Sequence, residues 1–164
     1  MSSSTNSSSE ITNDLILEEN SLPISSIVRA VCKAAGSGPD HLYEVMVKLS
    51  LMVESTAPTY GLSIWTCEAT GPAQLKWAEG LDEAELHQAE KKVTETFASA
   101  ASLAEIRAGD SSFCFVLAKP QMDRQGAAFY GCCVRPLSER QAKNLRALFD
   151  VTQLAHAQAS AIRP

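Results

Sequence analysis

Long apolar runs are missing from this sequence. Nothing approaches the ~18 consecutive apolar residues that a membrane-spanning helix requires, so no membrane partner is expected. Positive charge is scarce as well. Lys and Arg number 14 against 19 Asp and Glu, for a formal net charge of −5. A nucleic-acid binder would normally show a basic patch or stripe, so no nucleic-acid partner is expected either. The densest basic spot, Lys91-Lys92, lies in a helical pattern with Glu90 and Glu95 and reads as a solvated helix face. The first residues have neither the basic nor the apolar stretch of a secretory signal. The five cysteines, Cys32, Cys67, Cys114, Cys132 and Cys133, are odd in number and include no Cys-x-x-Cys. Free, mostly buried thiols in a reducing, cytoplasmic compartment are the expectation.

The motifs of common chemistries are absent too. No Gly-x-Ser-x-Gly elbow exposes a serine nucleophile, and Gly36-Ser-Gly38 stands between two helical patterns rather than after a strand. Neither a Gly-x-Gly-x-x-Gly fingerprint nor a P-loop occurs. His41, His87 and His156 fall on three different helical segments and are read as surface residues, so no metal site is expected. No catalytic residue and no cofactor can be assigned.

What is present is a patterned chain. Residues 2–9 are all Ser, Thr or Asn and hold nothing apolar to offset the entropy of ordering them. A disordered leader is expected over residues 1–20. Ile24, Ile27, Val28, Val31 and Ala35 form one helical stripe, ended by Gly36 and Gly38. This N-terminal helix and its linker occupy residues 21–38. Ser37 and Asp40 fit a capping box with Pro39 in the first turn. A second helix follows to about Ser55, with Leu42, Val45, Met46, Leu49 and Val53 inward. Leu62–Cys67 is bulky on both faces, as a central strand is, and Leu75–Ala78 returns after the Thr70-Gly-Pro72 turn.

Asp82 and Glu85 cap a third helix with the stripe Leu86, Ala89, Val93, Phe97 and Ala101. The segment 103–107 is open between a helix end and an edge strand. Phe113–Ala118 and Ala127–Val134 form the clearest hairpin around Asp123–Gly126. With Arg124-Gln125 at the centre of the turn, Leu117 opposes Cys132 and Phe115 opposes Val134, and Cys114 faces no cysteine. Cys132 and Cys133, adjacent on a strand, point to opposite faces. They read as small apolar filler or as a redox-sensing thiol. Ser138 and Gln141 cap a last helix to about Gln158, with Leu145, Leu148, Phe149, Thr152 and Ala155 inward. The order α-α-β-β-α-(β)-β-β-α implies an α+β domain with a largely antiparallel sheet packed by helices on both faces.

Over residues 40–158 this order resembles a GAF domain, of the GAF/PAS-like sensory superfamily. The resemblance rests on a helix leading into Gly61–Cys67, a second strand ending in Gly80-Leu81, a helix, and the Phe113–Lys119 strand with its Asp123–Gly126 turn. The returning strand then carries Phe129-Tyr-Gly131-Cys-Cys-Val134 and a closing helix follows. Pro120-Gln121 in the turn and the short Arg135–Leu137 link depart from the family's usual form. The family's cyclic-nucleotide residues and its bilin-anchoring Cys-His pair have no counterpart here.

The resemblance implies a GAF-like domain over residues 39–160. It also implies a non-enzymatic regulatory role, sensing an unidentified small molecule or docking a partner protein. Trp65, Trp77, Phe115 and Tyr130 either pack against helices or line the ligand pocket; an indole N–H needs a partner when buried, which favours the tryptophans as pocket residues. The alternatives are an acidic α+β protein-interaction protein of the secretion-chaperone type and a cysteine-dependent GAF-like reductase.

Three longer helices suffice to cover a sheet. Ile24, Ile27, Val28 and Val31 are therefore expected to form the interface of a homodimer, the competing expectation being a helix folded over the domain's own edge strand. Deleting residues 2–20 is expected to leave the melting temperature almost unchanged, because no core stripe begins before Ile24. A large drop in a thermal melt would mean that Leu15-Ile-Leu17 docks on the domain.

Overall fold

Apolar residues on both faces of a strand demand cover on both sides, and three of the strands carry that pattern. The computed structural model describes residues 24–36, 42–98 and 104–161. The elements run α1 (Ile24–Ala35), α2 (Leu42–Thr56), β1 (Thr59–Cys67), β2 (Gln74–Glu79), α3 (Glu83–Ala98), β3 (Ala104–Glu105), β4 (Ser112–Ala118), β5 (Gly126–Cys133) and α4 (Glu139–Ala161). The five strands form one sheet in the order β2-β1-β5-β4-β3, and every pairing is antiparallel. The segment left open between helix and strand contributes the short edge strand β3. The expected leader and the Ser37–Asp40 capping box lie outside the described residues, as does His41.

The alternation of side chains sorts the core into two layers. Leu62, Ile64, Phe113, Phe115, Leu117, Ala127, Phe129 and Cys133 face α1, α2 and α4. Trp65, Cys67, Cys114, Val116, Ala128, Tyr130 and Cys132 face α3 through Ala89, Val93 and Phe97. The protein is thus α+β, with helices on both faces of an antiparallel sheet. The stripe residues Leu145, Leu148, Phe149, Thr152 and Ala155 of α4 are all buried. Buried hydroxyls on the helices are satisfied by their own backbones: Ser50 donates to the Met46 carbonyl at 3.0 Å and Thr152 to that of Leu148 at 2.7 Å. Two capping boxes close reciprocally. Glu85 N–H donates to Asp82 Oδ1 at 2.8 Å and Asp82 N–H to Glu85 Oε1 at 2.9 Å. Gln141 N–H donates to Ser138 Oγ at 3.1 Å and Ser138 N–H to Gln141 Oε1 at 2.9 Å.

Three expectations need correction. The β4–β5 register differs by several residues: Phe115 opposes Phe129, and Ser112 opposes Cys132. The turn is centred on Met122-Asp123, closed by Gln121 N–H to Arg124 O at 2.8 Å and Arg124 N–H to Gln121 O at 3.2 Å. Pro120 has no N–H to extend the ladder, and the register shifts between Val116 and Ala118. Cys114 does face no cysteine, standing opposite Tyr130. Second, α1 is not left without a surface of its own. It packs on α4 and α2 rather than on an edge strand, and Val31 is fully buried in the core of its own chain, which removes it as an interface residue. The side chains of Ile24, Ile27 and Val28 lie outside the described residues. Third, His156, expected on the surface, is buried. Of the two tryptophan candidates, Trp77 pairs with Ile64 and packs on its layer, while Trp65 enters the α3 layer.

The crossing from β2 into α3 explains why Gly80 precedes Leu81. Gly80 has a φ of +81°, and a Cβ there would collide with the Tyr60 carbonyl oxygen. Among the described residues no helix is long and apolar enough to cross a membrane. Phe149 is the point where α4 meets the sheet, with ring centroids 4.3 Å from Phe115, 5.7 Å from Phe129 and 5.9 Å from Phe113. Phe149→Ala is expected to lower stability by about 3–5 kcal/mol in urea unfolding, as for other buried Phe→Ala changes. A loss under about 1 kcal/mol would show that the ring cluster does not anchor α4.

Candidate functional site

None of the four aromatic candidates lines either of the two pockets described below. Trp65 is buried, and its indole N–H donates to Ser63 Oγ at 2.8 Å. The Ser63 hydroxyl donates in turn to the Tyr130 carbonyl at 3.1 Å. The partner that an indole needs is thus internal, and Trp65 is a packing residue. Phe115 stacks on Phe149, Tyr130 is buried in the α3 layer, and half-buried Trp77 packs on the other layer.

The buried thiols are poor nucleophiles. Burial pushes Cys133 up to about 11. It also raises Cys132, where hydrogen bonds with Tyr60 and Tyr130 oppose the shift and Glu85 and Asp82 add to it. Burial and neighbouring Glu68 raise Cys67. Thiolates are the reactive form, so these sulfurs stay protonated at neutral pH. Tyr60 hydrogen-bonds Glu85, and that bond, with burial, raises its pKa further. Among the described residues, no group of three or more His, Cys, Asp or Glu could hold a metal ion.

A pocket of about 280 Å³ opens instead at one corner of the sheet. Its apolar wall is Leu42 and Met46 of α2 with Gly126 and Ala127 at the start of β5; Thr66 stands at the end of β1 and His156 on α4. Tyr43, Lys76, Arg124 and Gln125 complete the lining. The wall is fastened at two points. Tyr43 Oη donates to the Lys76 carbonyl at 2.7 Å, tying α2 to β2, and Gln125 Nε2 donates to Glu68 Oε2 at 2.6 Å, tying the hairpin turn to the end of β1. Gly126 is backed by Pro120, which a Cβ there would strike at 2.7 Å.

Two of the pocket's polar groups are unusual. Thr66 is only 8% exposed, and its Oγ1 is buried without a hydrogen-bond partner. Thr59 Oγ1 shares that condition but lies away from the pocket. His156, expected on the surface, is 4% exposed. Burial, aided by the Arg124 guanidinium, lowers its pKa to about 4, so the imidazole is neutral at pH 7. His87 is exposed as expected.

A second depression, about 720 Å³ and open to solvent, lies between Arg107-Ala108 and the first turns of α4. Arg107, Arg140, Lys143 and Arg146 surround it with Glu139 as its acid. Arg146 Nη1 also donates to the Ile106 carbonyl at 2.8 Å. Neither site follows from adjacency in sequence. The one available signal was the spacing of Arg140, Lys143 and Arg146 at steps of three, which places them along one side of a helix.

No protein-family model, curated protein or solved structure matches the chain.

The His156 shift sets a pH dependence. An unfolded His titrates near 6.5 and the folded one near 4. Between those values the unfolded chain binds more protons, so the stability contributed by the neutral imidazole is complete above about 6.5 and is lost as pH falls toward 4. From pH 7 to pH 5 that loss is roughly 2 kcal/mol. Arg124, Lys76 and Tyr43 share the pocket with the ring. In urea titrations, His156→Gln is expected to flatten the pH dependence relative to wild type. Equal slopes for the two proteins would mean that His156 is not the titrating group.

Proposed function

We propose that this chain is a non-enzymatic regulatory or sensory module, GAF-like in plan, which binds a small molecule and passes its occupancy to its terminal helices. The observation that carries the reading is the corner pocket. Its volume, about 280 Å³, is near the lower end of ligand sites, roughly 300–1,000 Å³, and such sites combine an apolar wall with a few polar groups. Because α2 and α4 supply Met46 and His156, a ligand there touches two helices and the hairpin turn at once. A ligand shifts an equilibrium only by its differential contacts with the two states, and a site shared by two helices and a turn is one where such contacts arise. The protonated state of the buried thiols supports a non-enzymatic role over a cysteine-dependent reductase. Signalling through a homodimer belongs to the same proposal. Its support on the helical layer is exposed Leu51 on α2 and Leu154 on α4, at 56% and 73% exposure, rather than Val31.

A second reading, a protein-interaction role, is favoured by the basic cleft at the start of α4. Four cations gathered there in a chain of net charge −5 make an electrostatic contrast that suits an acidic partner protein.

Native mass spectrometry of the full chain purified from its own cell tests both. The expected result is a dimer retaining a small molecule that leaves on denaturation and is absent from Met46→Trp, which fills the pocket. A protein that retains no small molecule but carries a stoichiometric acidic protein overturns the first reading in favour of the second.

A further inference from the structure

The charged residues that line the corner pocket are both cations. Lys76 and Arg124 stand in its lining, and none of its lining residues is an Asp or Glu. Neither cation has a carboxylate partner among the described residues. Leu42 and Tyr43, in the first turn of α2, line the same space. Farther in, the Thr66 hydroxyl has no partner, and a buried hydroxyl without one is a costly group to keep. The imidazole of His156, a residue only 4% exposed, lines the same pocket. A core that only needed filling would place Val and Leu at these positions. A cationic mouth, an unpartnered buried hydroxyl within and an apolar wall together describe a complement to a specific ligand.

We infer, building on the small-molecule-binding reading, that this pocket takes a small organic carboxylate with an apolar body, its carboxylate on Arg124 and Lys76 and its body against Leu42, Met46 and Ala127. A guanidinium fork matches a carboxylate in two parallel hydrogen bonds, which a lysine alone does not. The pocket's volume of about 280 Å³ is roughly that of nine waters at ~30 Å³ each, which suits a ligand of about ten non-hydrogen atoms. Phenylacetate has that size. The neutral imidazole of His156 offers one donor and one acceptor, and the Thr66 hydroxyl offers both, so a ligand carrying an additional hydroxyl or carbonyl gains hydrogen bonds that phenylacetate cannot make.

The test uses the full chain and four probes: phenylacetate, its neutral isostere phenylacetamide, the cation phenethylamine, and inorganic phosphate. Binding is read by calorimetry and by the imidazole 15N–1H signals of His156. Phenylacetate is expected to bind and shift the His156 signals, with at least tenfold weaker binding in Arg124→Gln and several-fold weaker in Lys76→Gln. Phenylacetamide and phenethylamine are expected to bind at least tenfold more weakly than phenylacetate. Thr66→Val gives a separate readout. It removes the unpartnered hydroxyl while keeping the side chain's shape, so it should raise the melting temperature of the free protein while weakening 4-hydroxyphenylacetate more than phenylacetate. Arg124 is exposed and in a turn, so its variant tests binding in a folded protein. If the amide or amine binds as well as the carboxylate, or if Arg124→Gln binds it undiminished, the carboxylate assignment is wrong and the small-molecule reading survives. Phosphate competing equally with phenylacetate also overturns it, in favour of a plain anion site. If no probe binds and the protein from its own cell retains nothing, both fall.

Discussion

Phe149 holds the two largest parts of the protein together. Its ring sits among Phe113, Phe115 and Phe129, so one side chain of α4 is in contact with two adjacent strands. Stacked and tilted aromatic pairs of this kind contribute beyond the area they bury. The cluster also fixes what its neighbours can be. Gly131 stands where a Cβ would strike the Phe113 ring, so the small residue in β5 is the counterpart of the large one in β4. With α4 set by this cluster, α1 and α2 pack against α4, and His156 arrives at the sheet's corner about two turns farther along the same helix. The position of the pocket is thus inherited from the aromatic contact.

The elements that were legible in the sequence are those whose signals are local. Capping boxes at Asp82 and Ser138 are set within four residues, and the two-faced apolar pattern of Leu62–Cys67 needs only its own strand. The layer assignment of Cys132 and Cys133 follows from alternation alone. The β4–β5 register was not legible, because it depends on where a seven-residue loop, 119–125, closes, and Gln121 and Arg124 closed it earlier than the Gly126 signal suggested. The pocket was illegible for a related reason. Its residues come from α2, β1, β2, the hairpin turn, β5 and α4, and no stretch of sequence contains more than a few of them.

His156 shows how a sound local reading fails. The sequence reading puts it on the surface, although its flanks are Ala155 and Ala157. The inward stripe advances from Thr152 through Ala155 to Ala159, and His156 lies beside that stripe at a step of four from Thr152. The expectation of Trp65 as a pocket residue fails in the opposite direction. Trp65 found its hydrogen bond in Ser63, two residues away on the same face of β1, so a requirement that suggested a ligand was met from within the strand.

Cys132 and Cys133 are neighbours in the chain yet belong to different hydrophobic layers, Cys132 to that of α3 and Cys133 to that of α1, α2 and α4. A buried thiol is modified only when the cover over it opens. The chain therefore carries a pair of adjacent clocks, one for each side of the sheet. Their alkylation rates, read on a single tryptic fragment, report how often each helical layer lifts, independently of the other.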